Sequence, residues 1–245
     1  LLADGRTIEV TRVRNPRARR LRLAVDERGA RLTLPPRASA ISGTRFLAEH
    51  RDWLAIQLDR YALAAVAPLL RDATTALPLR DELLPLRWQA GRYTHLQRVL
   101  RQTQDERDID LLVFTVPARA GDAALTRALR DFYEGEARAD LGRWLPRYLP
   151  TLPRAPRRVQ FKVMSSQWGS LAPDGTVALD LALLLARPSA FEYVLVHELC
   201  HLIRADHSRA FWREVEARFP AWRDERDYFH AEGRRLKATL RALLG

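Results

Sequence analysis

Residues 193–203 form an apolar run that nevertheless carries two imidazoles and a carboxylate: His197, Glu198 and His201 lie among Val194, Val196, Leu199, Leu202 and Ile203. On a helix, His197 and His201 stand four residues apart and share one face within reach of a common ion. Glu198 lies about 100° round the helix from His197, beside such an ion but poorly placed to be its third ligand. Burying three polar groups in an apolar helix is costly unless they have partners, and a metal site provides them. In a His-Glu-x-x-His helix the glutamate is the general base. Zinc lowers the pKa of a bound water to roughly 7, and the neighbouring carboxylate can take the proton as that water attacks a polarised carbonyl. The pattern predicts zinc-dependent amide hydrolysis without a covalent enzyme intermediate.

The flanks predict a helix over about 190–204, because Pro188 and Ser189 precede Phe191, and Ser189 with Glu192 makes a capping-box pattern. A catalytic zinc takes three protein ligands and keeps one position open. The other histidines are His50, His95, His207 and His230. His207, six residues beyond His201, is the first candidate, with Glu214 and Glu216 as competing ligands. That interval matches metzincins, but Arg204 stands where their pattern has glycine, and the sole methionine, Met164, lies upstream, so no Met-turn follows. The chain is expected to turn through Ala205 and Asp206 into a new helix near Ser208.

Upstream, Val159 to Met164 alternates like a strand, Pro173-Asp174-Gly175 is a turn, and Thr176 to Leu181 reads as a return strand, together a hairpin. A strand edge beside a metal can hold an extended peptide through backbone hydrogen bonds, which makes Trp168, Gly169 and Ser170 candidate substrate contacts. Trp168 as a core aromatic and Gly169 as a bulge are the competing readings. Tyr193, Ser170, Tyr228 and His230 are candidate oxyanion donors. Cys200 is a single cysteine on the side of the helix away from His201, a core residue that forms no internal disulfide.

The segment Ser166-Gln167-Trp168-Gly169-Ser170-Leu171-Ala172, the run His197 to Leu202, the pair His207-Ser208 and the pair Phe211-Trp212 resemble the YgjP-like metallopeptidases, relatives of the SprT-like zinc proteases. The resemblance spans most of the chain. It implies that His197, His201 and His207 bind zinc, that Glu198 is catalytic, and that the substrate is a peptide or protein. Gln167 stands where an arginine is usual, Leu171 where a cysteine is usual, and Asp180 where asparagine is common, changes that leave the metal set intact and bear on substrate contacts. Some family members carry a nucleoside-triphosphate pyrophosphatase label. This chain has neither a glycine-rich phosphate loop nor a carboxylate cluster for magnesium. A DNA-associated protein with a non-catalytic zinc is a third reading.

In the amino-terminal part, strands are expected near Leu21 to Val25 and Ala30 to Leu34, joined through Asp26-Glu27-Arg28-Gly29. Helical spacing of Phe46, Leu47, Trp53, Leu54, Leu58 and Tyr61 follows. A small antiparallel sheet is expected from Glu82 to Gln89, His95 to Arg101 and Ile109 to Val116, then a helix from Asp122 toward Trp144. Pro146, Pro150, Pro153 and Pro156 suggest a boundary. The expected architecture is α+β: a mostly antiparallel β-rich region over 1–153 and a compact zincin-like helix-plus-hairpin catalytic domain over 154–245. The net charge of +11, with arginines at 12, 14, 17, 19, 20 and 22 and no acid between them, suggests a non-specific nucleic-acid contact. No 18-residue apolar run is present, so a cytoplasmic protein with no membrane contact is expected.

Overall fold

Ala30, Leu32 and Leu34 are buried while the intervening Arg31 is exposed, the period of two that lets a strand cover a core on one side. This strand, β3 (Gly29–Leu34), is the centre of a three-stranded sheet, parallel to β1 (Val10–Arg14) and antiparallel to β2 (Arg22–Asp26). The computed structural model describes residues 7–16, 18–26, 29–63, 68–102 and 108–245, so Arg17 and the turn residues Glu27 and Arg28 lie outside the described residues. The expected helical stripe is two helices, α1 (Ala40–Glu49) and α2 (Arg51–Leu63), parted at His50, whose backbone N–H turns back to the Leu47 carbonyl. Leu54 is buried with Ala30, whereas Trp53 is 41% exposed, so the stripe is not wholly core.

These elements make one compact unit, Leu1–Ala65, and Val66–Gly245 makes another. In the second, β4 (Ala76–Leu79), β5 (Glu82–Ala90), β6 (His95–Gln102) and β7 (Asp108–Val116) form a sheet of order β4-β5-β7-β6. The sheet is mixed where an antiparallel one was expected, because β7 lies between β5 and β6 and is parallel to β5. The reason is that Leu112, Val113, Phe114, Thr115 and Val116 are buried in succession, so both faces of β7 are covered and it takes an inner position. Strand β4 was not foreseen. It joins β5 by a two-residue turn in which Arg80 and Asp81 have φ of 54° and 68°. Such a turn favours Asn-Gly. Here the strain is offset by Arg80 N–H and Asp81 N–H bonds to the Leu184 and Leu185 carbonyls, at 2.8 and 3.1 Å, and by the Arg80 guanidinium on Asp140 and Glu136.

The long helix α3 (Asp122–Tyr148) buries Leu125, Leu129, Tyr133, Ala137 and Trp144. Its Tyr133 hydroxyl donates to the Pro78 carbonyl, and Trp144 sits edge-on to Phe191. One hydrophobic core runs without interruption from Leu77 to Leu243. The break expected at 153/154 therefore falls inside the second unit: the prolines end a helix, but the apolar faces on either side of them share one core.

The remaining elements are β8 (Arg158–Lys162), β9 (Gly169–Leu171), β10 (Thr176–Asp180), a 3₁₀ helix Leu181–Leu185, α4 (Pro188–Cys200), α5 (Arg209–Arg218) and α6 (Trp222–Leu244). The expected hairpin is corrected here. β8 and β10 are parallel neighbours, and the hairpin is β9 with β10, closed at Pro173-Asp174-Gly175, where Gly175 has φ of 84° and Asp174 accepts from Thr176 N–H. Every residue of β10 is buried, which again makes it the central strand and leaves β9 at an edge. No helix among the described residues is long and apolar enough to cross a membrane.

Candidate active site

Helix α4 begins at Pro188, a residue suited to the first helical position, with Arg187 as its cap. Ser189 is therefore inside the helix, and Glu192, expected in a capping box, instead accepts hydrogen bonds from Arg147 and Tyr148 of α3. The helix ends sooner than expected, and residues 201–203 continue as tight turns with N–H bonds back to Glu198, Leu199 and Cys200. Asp206 and Ser208 then cap α5: Asp206 accepts from Ser208 N–H, and Ser208 Oγ accepts from Phe211 N–H. This turn brings His207 back over α4.

One ligand atom from each of His197, His201 and His207 lies within 4.8 Å of the others, a spacing that could hold one metal ion. The Nδ1 of His201 donates to the Arg204 carbonyl at 3.0 Å, which leaves its Nε2 as the lone-pair nitrogen. The Nε2 atoms of His197 and His207 are 3.0 Å apart. Two lone pairs at that distance repel unless a cation or a shared proton lies between them. Burial, followed by the two neighbouring imidazoles, pushes the His197 pKa down to about 3, which disfavours the proton. His197 Nδ1 is buried without a partner, so this ring has no protein acceptor to offset its desolvation. The donor set thus fits a cation of zinc's preference for nitrogen ligands. Phe211 stacks on His201 at 4.5 Å and, with Trp212, walls the rings from the α5 side. Glu214 and Glu216, the competing ligands, are held by Arg218 and Arg223 respectively.

Glu198 is 5% exposed, and burial pushes its pKa up to about 8. Its side chain lies against Gly169: a Cβ built there would stand 2.6 Å from Glu198 Cγ and 2.7 Å from Oε1. Gly169 is thus neither a bulge nor merely a place for a ligand to approach. Its lack of a side chain is what admits the carboxylate. Gly169→Ala is expected to displace Glu198 and to lower turnover by about 100-fold, with bound metal unchanged, as checked by steady-state kinetics beside elemental analysis.

The two buried groups also set a pH dependence for metal-free protein. His197 keeps its ring neutral far below the ordinary 6.5, so it adds stability as pH rises toward that value, and His201 is shifted the same way. Glu198 holds its proton up to about 8 while an unfolded carboxyl loses it near 4.5, so it removes stability across that window. Between 6.5 and 8 the glutamate acts without the histidines. Metal-free protein is expected to lose about 2 kcal/mol there, and Glu198→Gln to lose none, as read from thermal melts in chelator at the two pH values.

A cleft of about 750 Å³ opens over these groups, lined by the three histidines, Glu198, Tyr193 and the segment Ser166–Pro173. Trp168, Gly169 and Ser170 all lie on this wall, in different ways. The Trp168 carbonyl accepts from Asp180 N–H and Ala172 N–H donates to Thr176, so Trp168 and Ser170 turn their backbone groups toward β10. By the alternation of an antiparallel pair, Gly169 and Leu171 turn theirs to the open edge. The Trp168 ring packs on Phe229 of α6 at 4.5 Å. Of the four candidate oxyanion donors, Ser170 and Tyr193 line the cleft, and Tyr228 and His230 do not. Burial pushes the Tyr193 pKa up to about 12, which keeps its O–H a donor. The Tyr228 hydroxyl is engaged with Arg187 N–H and Asp81. Cys200 is buried, its thiol pushed up to about 12 and so unreactive, as expected of a core residue.

An α+β unit that sets two histidines and a buried glutamate along one helix and its C-cap, brings a third histidine over them from the following turn, and leaves a strand edge open beside them has the construction of a metal-dependent hydrolase. The chain belongs to the YgjP-like family: the description "YgjP-like, metallopeptidase domain" matches residues 19–232. Family membership makes it a metallopeptidase, a hydrolase that uses a metal ion. No curated protein matches the chain. A crystal structure of the metallopeptidase zymogen of Pyrococcus abyssi abylysin is similar at 27% identity, covering 42% of this chain and 92% of that one, with a TM-score of 0.31.

Proposed function

We propose that the chain is a zinc peptidase in which His197, His201 and His207 hold the ion and Glu198 is the general base. The observation that carries this reading is the convergence of three imidazole nitrogens within 4.8 Å beside a buried carboxylate. When bound, zinc supplies Lewis acidity that polarises the scissile carbonyl and makes a water acidic near neutral pH. Glu198, held against Gly169, accepts the proton of the attacking water and passes it to the leaving amine. Gly169 and Leu171 offer N–H and C=O groups at the edge of β9, where an extended peptide adds as a further strand. Tyr193, which lines the cleft and keeps its proton, is a candidate donor to the developing oxyanion, as is Ser170. Among the described residues lining the cleft Glu198 is the one carboxylate, which disfavours a nucleotide pyrophosphatase dependent on magnesium.

Zinc-loaded protein is expected to cleave members of a mixed peptide library, to stop when chelated, and to resume on return of zinc. Protein holding one zinc per chain that cleaves no peptide would remove the peptidase reading.

A nucleic-acid contact is a separate reading for the first unit. Arg19, Arg20, Arg22 and Arg31 line a groove of about 500 Å³ with no acid among the described residues of its lining. Residues 1–65 hold thirteen arginines against seven acidic residues, a larger excess per length than the remainder. Retention of duplex DNA that falls steeply with salt, and is lost when Arg19, Arg20 and Arg22 are changed to Glu, is the expected result. Equal retention by that variant would sink it.

A further inference from the structure

We infer that Lys237 is a positioning residue for the substrate-binding edge, seating β9 against Glu198 from the opposite side of the wall. The inference rests on the peptidase reading above and concerns residues remote from the metal ligands. The chain has two lysines and thirty-nine arginines, so a lysine marks a place where a guanidinium does not serve. Lys237 Nζ donates to the Gln167 carbonyl at 2.9 Å, to the Met164 carbonyl at 3.2 Å, and to the Asp180 carboxylate. Three acceptors use the three N–H donors of one ammonium, a convergence that a planar fork does not match. The same nitrogen stands 4.3 Å from the centroid of the Trp168 ring, a cation–π contact.

The rest of α6 is shaped for the same indole. Phe229, Gly233 and Lys237 recur every four residues and so form one stripe. Phe229 packs on the ring, and a Cβ at Gly233 would stand 2.9 Å from its Cζ2. Glycine inside a helix is unfavourable relative to alanine, and here it makes room for Trp168. Asp180 closes the circuit: it is 1% exposed, its backbone N–H holds the Trp168 carbonyl, and its side chain accepts both Lys237 and Ala182 N–H. The segment from Met164 to Trp168 is thereby fixed to α6 and β10, and the next residue is the glycine on which Glu198 rests.

The test compares zinc-loaded wild type, Lys237→Arg, Lys237→Met and the double variant Asp180→Asn with Lys237→Met. The double variant removes both buried charges, so it keeps the test open if the single variant does not fold. In folded variants with one zinc per chain, amide exchange in 164–172 is expected to rise about tenfold or more, with 190–200 unchanged. With a fluorogenic peptide, KM is expected to rise about tenfold with a smaller change in kcat, and Lys237→Arg not to restore it. A purely structural lysine would lower the melting temperature and leave KM alone. Wild-type KM and wild-type exchange in the folded double variant, or full rescue by Lys237→Arg, would overturn the inference. The exchange comparison needs no substrate, so a failure of the peptidase reading would leave it standing as the deciding result.

Discussion

Glu198→Gln is expected to lower peptide hydrolysis by about a thousandfold or more, within the usual range for loss of a general base, while zinc stays at one per chain. The amide keeps the shape of the side chain and its fit against Gly169, so the wall of the cleft is undisturbed. It cannot accept the proton of the attacking water. The substitution also removes the carboxyl whose burial raises its pKa to about 8, so the variant should fold at least as stably as wild type in chelator at alkaline pH. Kinetics together with elemental analysis of the same sample checks both parts. Substantial turnover by pure Glu198→Gln protein would exclude it as the base and turn attention to Tyr193 or to a direct attack by another group.

His207→Ala is expected to reduce bound zinc from one per chain to a small fraction and to abolish hydrolysis with it. His207 is the exposed member of the triad and reaches the others through the turn capped by Asp206 and Ser208, so its loss leaves α4 and its core contacts in place. Melting of the metal-free variant should accordingly match metal-free wild type. Two remaining imidazoles make a much weaker site than three. Zinc retained in full by the variant would move the third ligand elsewhere, although Glu214 and Glu216 are both committed to arginines.

Much of the chemistry was legible along the chain because helical spacing is local. His197 and His201 needed only a helix to share a face, Ser208 needed only its own sequence to cap α5, and Cys200 was recognisable as core. Burial on two faces left a trace too, in the consecutive apolar residues Leu111 to Phe114 of β7 and Val177 to Leu179 of β10. Turn residues point to pairing between neighbours in sequence, whereas a strand covered on both faces is driven to the middle of its sheet. That difference changes which backbone groups face the cleft. The proline cluster misled in the same way, since a helix-breaking residue says nothing of whether its two flanks share a core.

By itself the sequence determined the reactive groups: two imidazoles and a carboxylate set by a helix, a third histidine at a reachable distance, and a glycine and tryptophan beside them. The tertiary structure decided what those residues do for one another. It put Gly169 where its missing Cβ admits Glu198, turned Gly169 and Leu171 to the open edge, and placed Lys237 beneath Trp168 from a helix about seventy residues away along the chain. Spacing within one element follows from backbone geometry, but contacts across elements follow from which faces must be buried together, and that is a property of the whole core.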